Sequence, residues 1–316
     1  MNRRAIFTAA LVAVTAALGA DAASAQMPEH LRDYPLAQMR PTGDLVAPFF
    51  DGWFANPDGS VTYEFGYMNR NTEEVVDIPL AENNRIELRY ADGTVVPAEV
   101  DGIQPTRFYV YDRPGFNGRR ERGTFAVTVP DPSTEVVWTL GRDVQRIYSV
   151  PGRATSTAYE LSWGKTAFGS LRPALRFDAT GEESMGAQGP WADRIVTTVG
   201  TPVTLSAIVQ DRGERYGLTE KLWVPVRAEF IIHQGPAGAE ATFDPPRVSV
   251  EPGVDAAGGE GAAPTQAQWG EVSTQATFTE PGEYVIRVRA DNFAAEDSGF
   301  DYVCCWANGY IPVTVR

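Results

Sequence analysis

The sequence predicts an all-β protein of two β-sandwich modules joined by a packed irregular segment. Three observations carry that expectation. Apolar and polar residues alternate with the period of two that a half-buried strand requires, as in Val61, Tyr63, Phe65 and Tyr67 and again in Val203, Leu205, Ala207 and Val209. Turn-forming residues interrupt these runs at short intervals, the 316 residues including 30 Gly and 23 Pro. Beyond the N-terminal stretch, no apolar pattern sustains a helix of more than two or three turns.

In chain order, residues 1–25 read as a signal peptide. Arg3 and Arg4 form a basic start, an Ala-, Leu- and Val-rich stretch follows, and Ala23-Ser24-Ala25 offers small residues for cleavage before Gln26. That apolar run is short for a membrane span, and no later run reaches one. The expected location is therefore periplasmic or secreted, with both general secretion and twin-arginine export open. Residues 26–48 lack periodicity and read as an extended N-terminal arm.

The first module is expected over 49–150. Asn56-Pro57-Asp58-Gly59 puts favoured residues at type I turn positions and leads into the Val61–Tyr67 strand. Val75 to Leu80 is a short run broken by Pro79, which suits a sheet edge. Ile86, Leu88 and Tyr90 alternate into Asp92-Gly93, a two-residue hairpin signal that would set Val95 opposite Tyr90. Phe108 to Tyr111 continues the β pattern, Arg113 to Arg122 reads as a polar loop, and Phe125–Val129 and Val136–Leu140 close the sandwich. Trp53, Tyr63, Phe65, Tyr67 and Trp138 are its expected core.

Residues 151–192 are rich in Gly, Ser, Thr and Pro, yet hold Tyr159, Trp163, Phe168, Phe177 and Trp191. So aromatic a segment should pack across the junction rather than swing free. The second module, over 193–316, has strands at Val203–Val209, Val226–Ile232, Val248–Val250 and Val272–Phe278, with a Gly/Ala-rich loop at Gly253–Gln268. After the Pro281-Gly282 corner, Tyr284, Ile286, Val288 and Ala290 point one way, while Glu283, Arg287 and Arg289 point the other. By the same alternation His233 falls opposite Phe230 and Ile232 and reads as a solvated surface histidine. The C-terminus has two solutions. Residues 291–310 connect Glu283–Ala290 to Ile311–Val315, or Asn308-Gly309 turns a tight hairpin between Tyr302–Ala307 and Tyr310–Val315. The long connection is preferred, because the hairpin would set Pro312 in a ladder opposite Cys305.

The run Phe278-x-x-Pro281-Gly282-x-Tyr284-x-Ile286-x-Val288-x-Ala290 resembles the penultimate strands of polycystic-kidney-disease-type (PKD-like) and other immunoglobulin-like modules. The resemblance implies a corner at which the Tyr284 hydroxyl returns to the backbone. Gly52-Trp53-x-x-Asn56-Pro57-Asp58-Gly59-Ser60, Phe65-Gly66-Tyr67-x-Asn69-Arg70-Asn71 and Asp77-Ile78-Pro79 together resemble a group of exported bacterial proteins without assigned function. Their C-termini are similar to Cys304-Cys305-Trp306 followed by a closing strand. This second resemblance implies an envelope location and immunoglobulin-like folding, and brings no catalytic residues with it.

A net charge of −14 argues against nucleic acid and anionic membrane surfaces as partners. The chain holds two histidines, His30 and His233, with no Gly-x-Ser-x-Gly elbow and no His-Glu-x-x-His helix. No enzyme and no cofactor is expected on these grounds. Cys304 and Cys305 are adjacent, and Cα atoms about 3.8 Å apart across a trans peptide lie below the usual disulfide span of roughly 4.4–6.8 Å. A strained vicinal disulfide, two reduced thiols, a soft-metal or redox pair and intermolecular pairing all remain open. Asp291, Glu296, Asp297 and Asp301 form a weak Ca²⁺ candidate, with a solvated acidic loop as the plainer account. The pairs Glu73-Glu74 and Glu182-Glu183 read as surface charge.

Phe293, Phe300, Tyr302 and Trp306 sit where the chain leaves a strand, and are the candidate exposed contacts of a binding loop. The expected function is non-enzymatic binding or envelope assembly, with an envelope protein or a glycan as partner. The alternatives are a redox- or metal-linked accessory role for Cys304 and Cys305, and a carbohydrate-binding accessory module.

Overall fold

A computed structural model describes residues 38–98, 104–111, 120–143, 145–155, 157–161, 171–184, 186–213, 226–250, 269–292 and 306–316. Among them the secondary structure is β throughout, apart from a three-residue 3-10 turn at Thr157–Tyr159. No helix among the described residues is long and apolar enough to cross a membrane.

Three strands, β1 (Val46–Ala55), β2 (Val61–Asn69) and β7 (Arg120–Val129), form one antiparallel sheet in the order β1-β2-β7. A second sheet runs β5-β4-β8-β9, from β4 (Asn84–Arg89), β5 (Val95–Pro97), β8 (Glu135–Gly141) and β9 (Ile147–Gly152). Two residues each of β3 (Val76–Asp77) and β6 (Arg107–Phe108) pair beside them. Between these sheets lies one aromatic core: Tyr63, Phe65, Phe108, Phe125 and Trp138 are fully buried, with Phe125 set edge-on to Trp138. Asn84 is buried among them and satisfied. It donates to the carbonyls of Ile78 and Pro105 and accepts from the Trp138 indole.

The C-terminal core lies between two further sheets. One runs β10-β12-β16-β14, from β10 (Ala174–Arg176), β12 (Val203–Gln210), β14 (Ala241–Asp244) and β16 (Gly270–Phe278). The other runs β11-β18-β17-β13-β15, from β11 (Ile195–Thr197), β13 (Val226–Gln234), β15 (Arg247–Val250), β17 (Gly282–Asp291) and β18 (Trp306–Val315). Here β11 lies parallel to β18 and the other neighbours are antiparallel. Leu205, Val272, Phe278, Ile286, Val288 and Ile311 fill the space between, following the alternation in the sequence. The Tyr284 hydroxyl donates to the Glu280 carbonyl at 2.7 Å, closing the Pro281-Gly282 corner. Arg40–Arg316 forms one compact unit that contains both cores.

Four local expectations change. The hairpin after β4 has three loop residues rather than two: Tyr90 pairs with Thr94 and Arg89 faces Val95, with Gly93 at φ +88°. Arg120, Glu121 and Arg122 belong to β7 rather than to a polar loop. Part of the 151–192 segment is sheet, since Ala174–Arg176 pairs with β12. Asn308-Gly309 is no turn, because β17 and β18 pair without interruption from Gly282↔Val315 to Asp291↔Trp306. The connection between them is thus 292–305, shorter than 291–310. Gly309 sits in β18 because Leu175 and Phe177 close on it, and a Cβ there would strike the Leu175 side chain.

Candidate functional site

Two cores in one unit need a junction, and here it is made by strand faces that alternation assigns to solvent. Arg287 and Arg289 of β17 are 1% and 8% exposed, and both reach Glu121 of β7, itself wholly buried. Arg287 Nη2 donates to Glu121 Oε1 at 2.6 Å, and Arg289 Nη1 to Oε2 at 3.1 Å. The Tyr67 and Tyr310 hydroxyls lie in the same seam, raised above the ordinary phenol range by burial. Burial alone would lower Arg287, but Glu121 acting together with the Tyr111, Tyr310 and Tyr67 hydroxyls outweighs it and holds the guanidinium above its ordinary value.

The docking point is a bulge. Phe65 faces Phe125 and Tyr67 faces Glu121, so Arg122, Gly123 and Thr124 of β7 oppose Gly66 alone. The bulge turns backbone groups outward to both sides. The Gly123 N–H donates to Asp51 Oδ2 at 2.8 Å, while its carbonyl accepts from Asn308 Nδ2 at 2.8 Å. Asp51 is also paired with Arg120, and burial still raises its carboxyl above the ordinary range. Gly123 has φ +55°, and a Cβ on it would fall inside the Trp306 indole.

Trp306 is therefore not an exposed contact. It is 4% exposed, seated on Gly123 with the Arg289 guanidinium 5.6 Å from its ring centre. His233 is likewise not solvated: at 2% exposure its ring packs 5.3 Å from that of Tyr310, because the face of β13 opposite Phe230 meets the N-terminal half. The Thr106 N–H donates to the His233 carbonyl at 2.9 Å. Asp291, offered as a cation ligand, is bonded to Arg227 at 2.9 Å. Among the described residues, no three His, Cys, Asp or Glu side chains converge as a metal site. Phe293, Glu296, Asp297, Phe300, Asp301, Tyr302, Cys304 and Cys305 lie outside the described residues.

At one side of the seam the two halves enclose a cleft of about 290 Å³. Phe54 of β1 and the run Leu171, Pro173 and Ala174 form its apolar walls, while Arg172, Glu183, Ser184 and Arg212 supply its polar groups. Arg172 is 12% exposed, stands 5.3 Å over the Phe54 ring, and places Nη1 2.6 Å from Oε1 of Glu64. Glu64 is completely buried in β2, on the strand face opposite the aromatic core. Both of its oxygens lack an aligned hydrogen-bond donor, so Arg172 meets it as a charge rather than through a well-directed bond. Gly186 (φ +91°) leaves room for this pair, since a Cβ there would collide with Arg172 Nη1. At the rim, Arg212 donates to Glu183 at 2.8 Å and to Gln210 at 3.0 Å. Trp269 lies next to it, 5.7 Å from the Arg212 guanidinium and 3.7 Å from that of Arg176.

Of the cleft residues the sequence marked only Glu183, as surface charge, and its side chain at the rim is 38% exposed. Glu64 interrupts the Val61–Tyr67 strand on its polar face, where a lone carboxylate normally reads as solvated. Its one signal is the neighbouring Gly66, whose missing side chain lets β7 come close.

Comparison with protein-family models gives no match, and comparison with curated proteins gives none. Solved structures with some likeness include a titin substructure, with 11% identity over 85% of this chain and 99% of that chain at a TM-score of 0.19. A protein of unknown function from Porphyromonas gingivalis aligns at 9% identity over 85% of this chain and 99% of that one, TM-score 0.23. The CFA/I adhesin CfaE of enterotoxigenic E. coli aligns at 8% identity over 89% and 88%, TM-score 0.25. At such scores the alignments carry no argument beyond being compatible with a β-sandwich kind of fold.

Proposed function

We propose that this is a non-catalytic binding protein of the bacterial envelope, exported by its N-terminal signal peptide. In this reading two immunoglobulin- or PKD-like sandwiches are locked together and hold a ligand or a segment of an envelope partner between them. The observation that supports it is the cleft at their junction, where the buried Glu64 holds Arg172 beside an apolar wall. A buried ion pair is a poor way to gain stability, since desolvation offsets most of its attraction. It is a good way to fix a guanidinium that must meet a ligand. The burial of Trp306 removes it as a stacking platform for a sugar, so a glycan partner gains nothing from that residue.

The test is a thermal-shift screen of the purified protein against small organic ligands and peptides, run beside an Arg212→Gln variant. Ligands that raise the wild-type Tm and fail to raise that of the variant support the reading. Turnover of a hydrolase or redox substrate panel overturns the non-catalytic part. A mature N-terminus at Gln26 in the periplasmic fraction supports export, and an intact Met1 in the cytoplasm overturns it.

A further inference from the structure

We infer that Arg176, Trp269 and Arg212 form a surface site for a phosphate group, free or as a monoester, at the outer face of the C-terminal half; this goes beyond the binding function proposed above and stands whatever fills the cleft. The strands bring the three side chains together. Leu175 of β10 is wholly buried in the core, so its neighbour Arg176 turns to the outer face, opposite Ile208 of β12. Val272 of β16 points inward, and the same alternation turns Trp269 outward, one residue before the pairing of Gly270 with Val209. Arg212 follows the end of β12 by two residues. Both guanidinium carbons thus meet one indole, Arg176 at 3.7 Å and Arg212 at 5.7 Å from the ring centre.

Among the described residues the Arg176 guanidinium has no ion pair and no hydrogen bond, so its stacking on Trp269 holds it in place without neutralising it. Its Nε is buried without a partner, and its two terminal nitrogens are the ones that reach solvent. A stacked guanidinium has already lost much of its rotamer freedom, which lowers the cost of meeting an anion from outside. Arg212 gives Nε to Gln210 and Nη2 to Glu183, and its Nη1 is left over. The Trp269 indole N–H makes no hydrogen bond among the described residues either. Guanidinium and indole groups donate and never accept, so a ligand must bring both the acceptors and the negative charge. These donors are not coplanar, since Arg176 lies over the ring while the indole N–H points along its plane. A planar carboxylate is served best by one coplanar fork. A phosphate, with three acceptor oxygens and a charge of about −1.5 to −2 near pH 7, accepts from several directions at once. Glu183 competes for Arg212, but with the two side chains 38% and 42% exposed that pair is weak enough for a dianion to displace.

The experiment is a calorimetric titration of the full mature chain with inorganic phosphate, glucose 6-phosphate, glucuronate and glucose. Tryptophan fluorescence provides a second readout through Trp269 between the two arginines. We expect at least one phosphate compound to bind about 10-fold or more tightly than glucuronate, and glucose to show no binding. Arg176→Gln strands no ion-pair partner, so it should keep the parent Tm while weakening phosphate about 10-fold, and Arg212→Gln should weaken it to a similar extent. Glu183→Gln frees Arg212 and should tighten binding, a gain that a merely structural stack would not show. Trp269→Phe keeps a ring beneath Arg176 and should abolish the fluorescence response. Affinity should fall as NaCl rises from about 0.05 to 0.5 M, as it does for exposed charges. Equal affinity for phosphate and glucose 6-phosphate assigns the site to the phosphate group alone, and tighter binding of the ester assigns it to sugar phosphates. No binding of either phosphate compound, glucuronate held as tightly as phosphate, or phosphate binding unchanged in Arg176→Gln overturns the inference. A ligand from the thermal-shift screen that stabilises the parent protein and Arg176→Gln alike, with phosphate without effect, overturns the phosphate site and leaves the binding function standing.

Discussion

Glu121 is the residue on which the two halves converge, and its energetics can be bounded. Removing one member of a buried ion pair strands the remaining charges, at a cost of about 3–5 kcal/mol. Glu121→Ala leaves both Arg287 and Arg289 in the seam without their carboxylate, so its unfolding free energy should fall by that amount, read by urea unfolding. Replacing all three by Met should recover much of the loss, since an apolar trio of similar volume has no desolvation to offset. Trp306 gives a second check at this scale. Buried against Gly123, it should cost about 3–5 kcal/mol on truncation to Ala and resist an aqueous fluorescence quencher; a surface tryptophan would do neither. Glu121 and its two arginines were passed over in the sequence for one reason. Charge at alternate positions of a strand reads as a wet face, and nothing local in Arg287-Val288-Arg289 records a carboxylate more than 160 residues away.

At the scale of elements the sequence was most informative where the cause is local. The alternation of Val203–Val209 and Tyr284–Ala290 names the inward residues correctly, and the Tyr284 hydroxyl makes the corner bond that its position implied. Tyr284→Phe should therefore lose about 1 kcal/mol with no change in the cores, measured by chemical denaturation. Asn308-Gly309 makes no hairpin turn, in keeping with the preferred long connection, but the connection ends earlier than expected because a turn dipeptide also suits a strand that must admit Leu175 and Phe177. The turn before β1 offers a pH test. Glu74 accepts from both terminal nitrogens of Arg142 at 2.6 Å and from the Gly43 N–H at 2.7 Å. The Arg142 hydrogen bonds hold its carboxyl below the ordinary range. Its pKa is lower folded than unfolded, so the gain in stability is complete above the unfolded value near 4.5 and disappears as pH falls through the folded value. Glu74→Gln should cost about 1 kcal/mol at pH 7, the upper end for a partly exposed bidentate pair. The difference from the parent protein should shrink as the pH drops below 4.5 and vanish in stronger acid. A difference independent of pH would assign the effect to packing instead.

For the whole molecule the question is whether two cores behave as one body. Inter-domain interfaces within a chain are often loose and allow relative motion. This seam is not of that kind, because it buries ionised groups that neither half satisfies alone. Separated, the C-terminal half would expose Arg287 and Arg289 without Glu121, and the N-terminal half would leave Glu64 without Arg172. Each half is thus the other's counter-charge, and the Gly123 bulge supplies backbone carbonyls that accept from Asn308, Arg287 and Tyr310 of the C-terminal half. The parent protein should then unfold in a single calorimetric transition, with van't Hoff and calorimetric enthalpies equal. Weakening the seam alone should separate what it couples: Glu121→Ala should split the transition in two, with Trp138 reporting the N-terminal core and Trp269 the C-terminal half. Two transitions in the parent protein would show that the seam does not couple the cores. A single, uniformly lowered transition in Glu121→Ala would show that the coupling runs through the remaining contacts, the Glu64–Arg172 pair and the Asn308 bonds first among them. The cleft depends on the same coupling, because Phe54 comes from one half and Ser184 and Arg212 from the other. A variant whose cores melt apart should therefore lose ligand binding at temperatures where each core is still folded, an outcome that fluorescence at Trp269 and calorimetry can follow together.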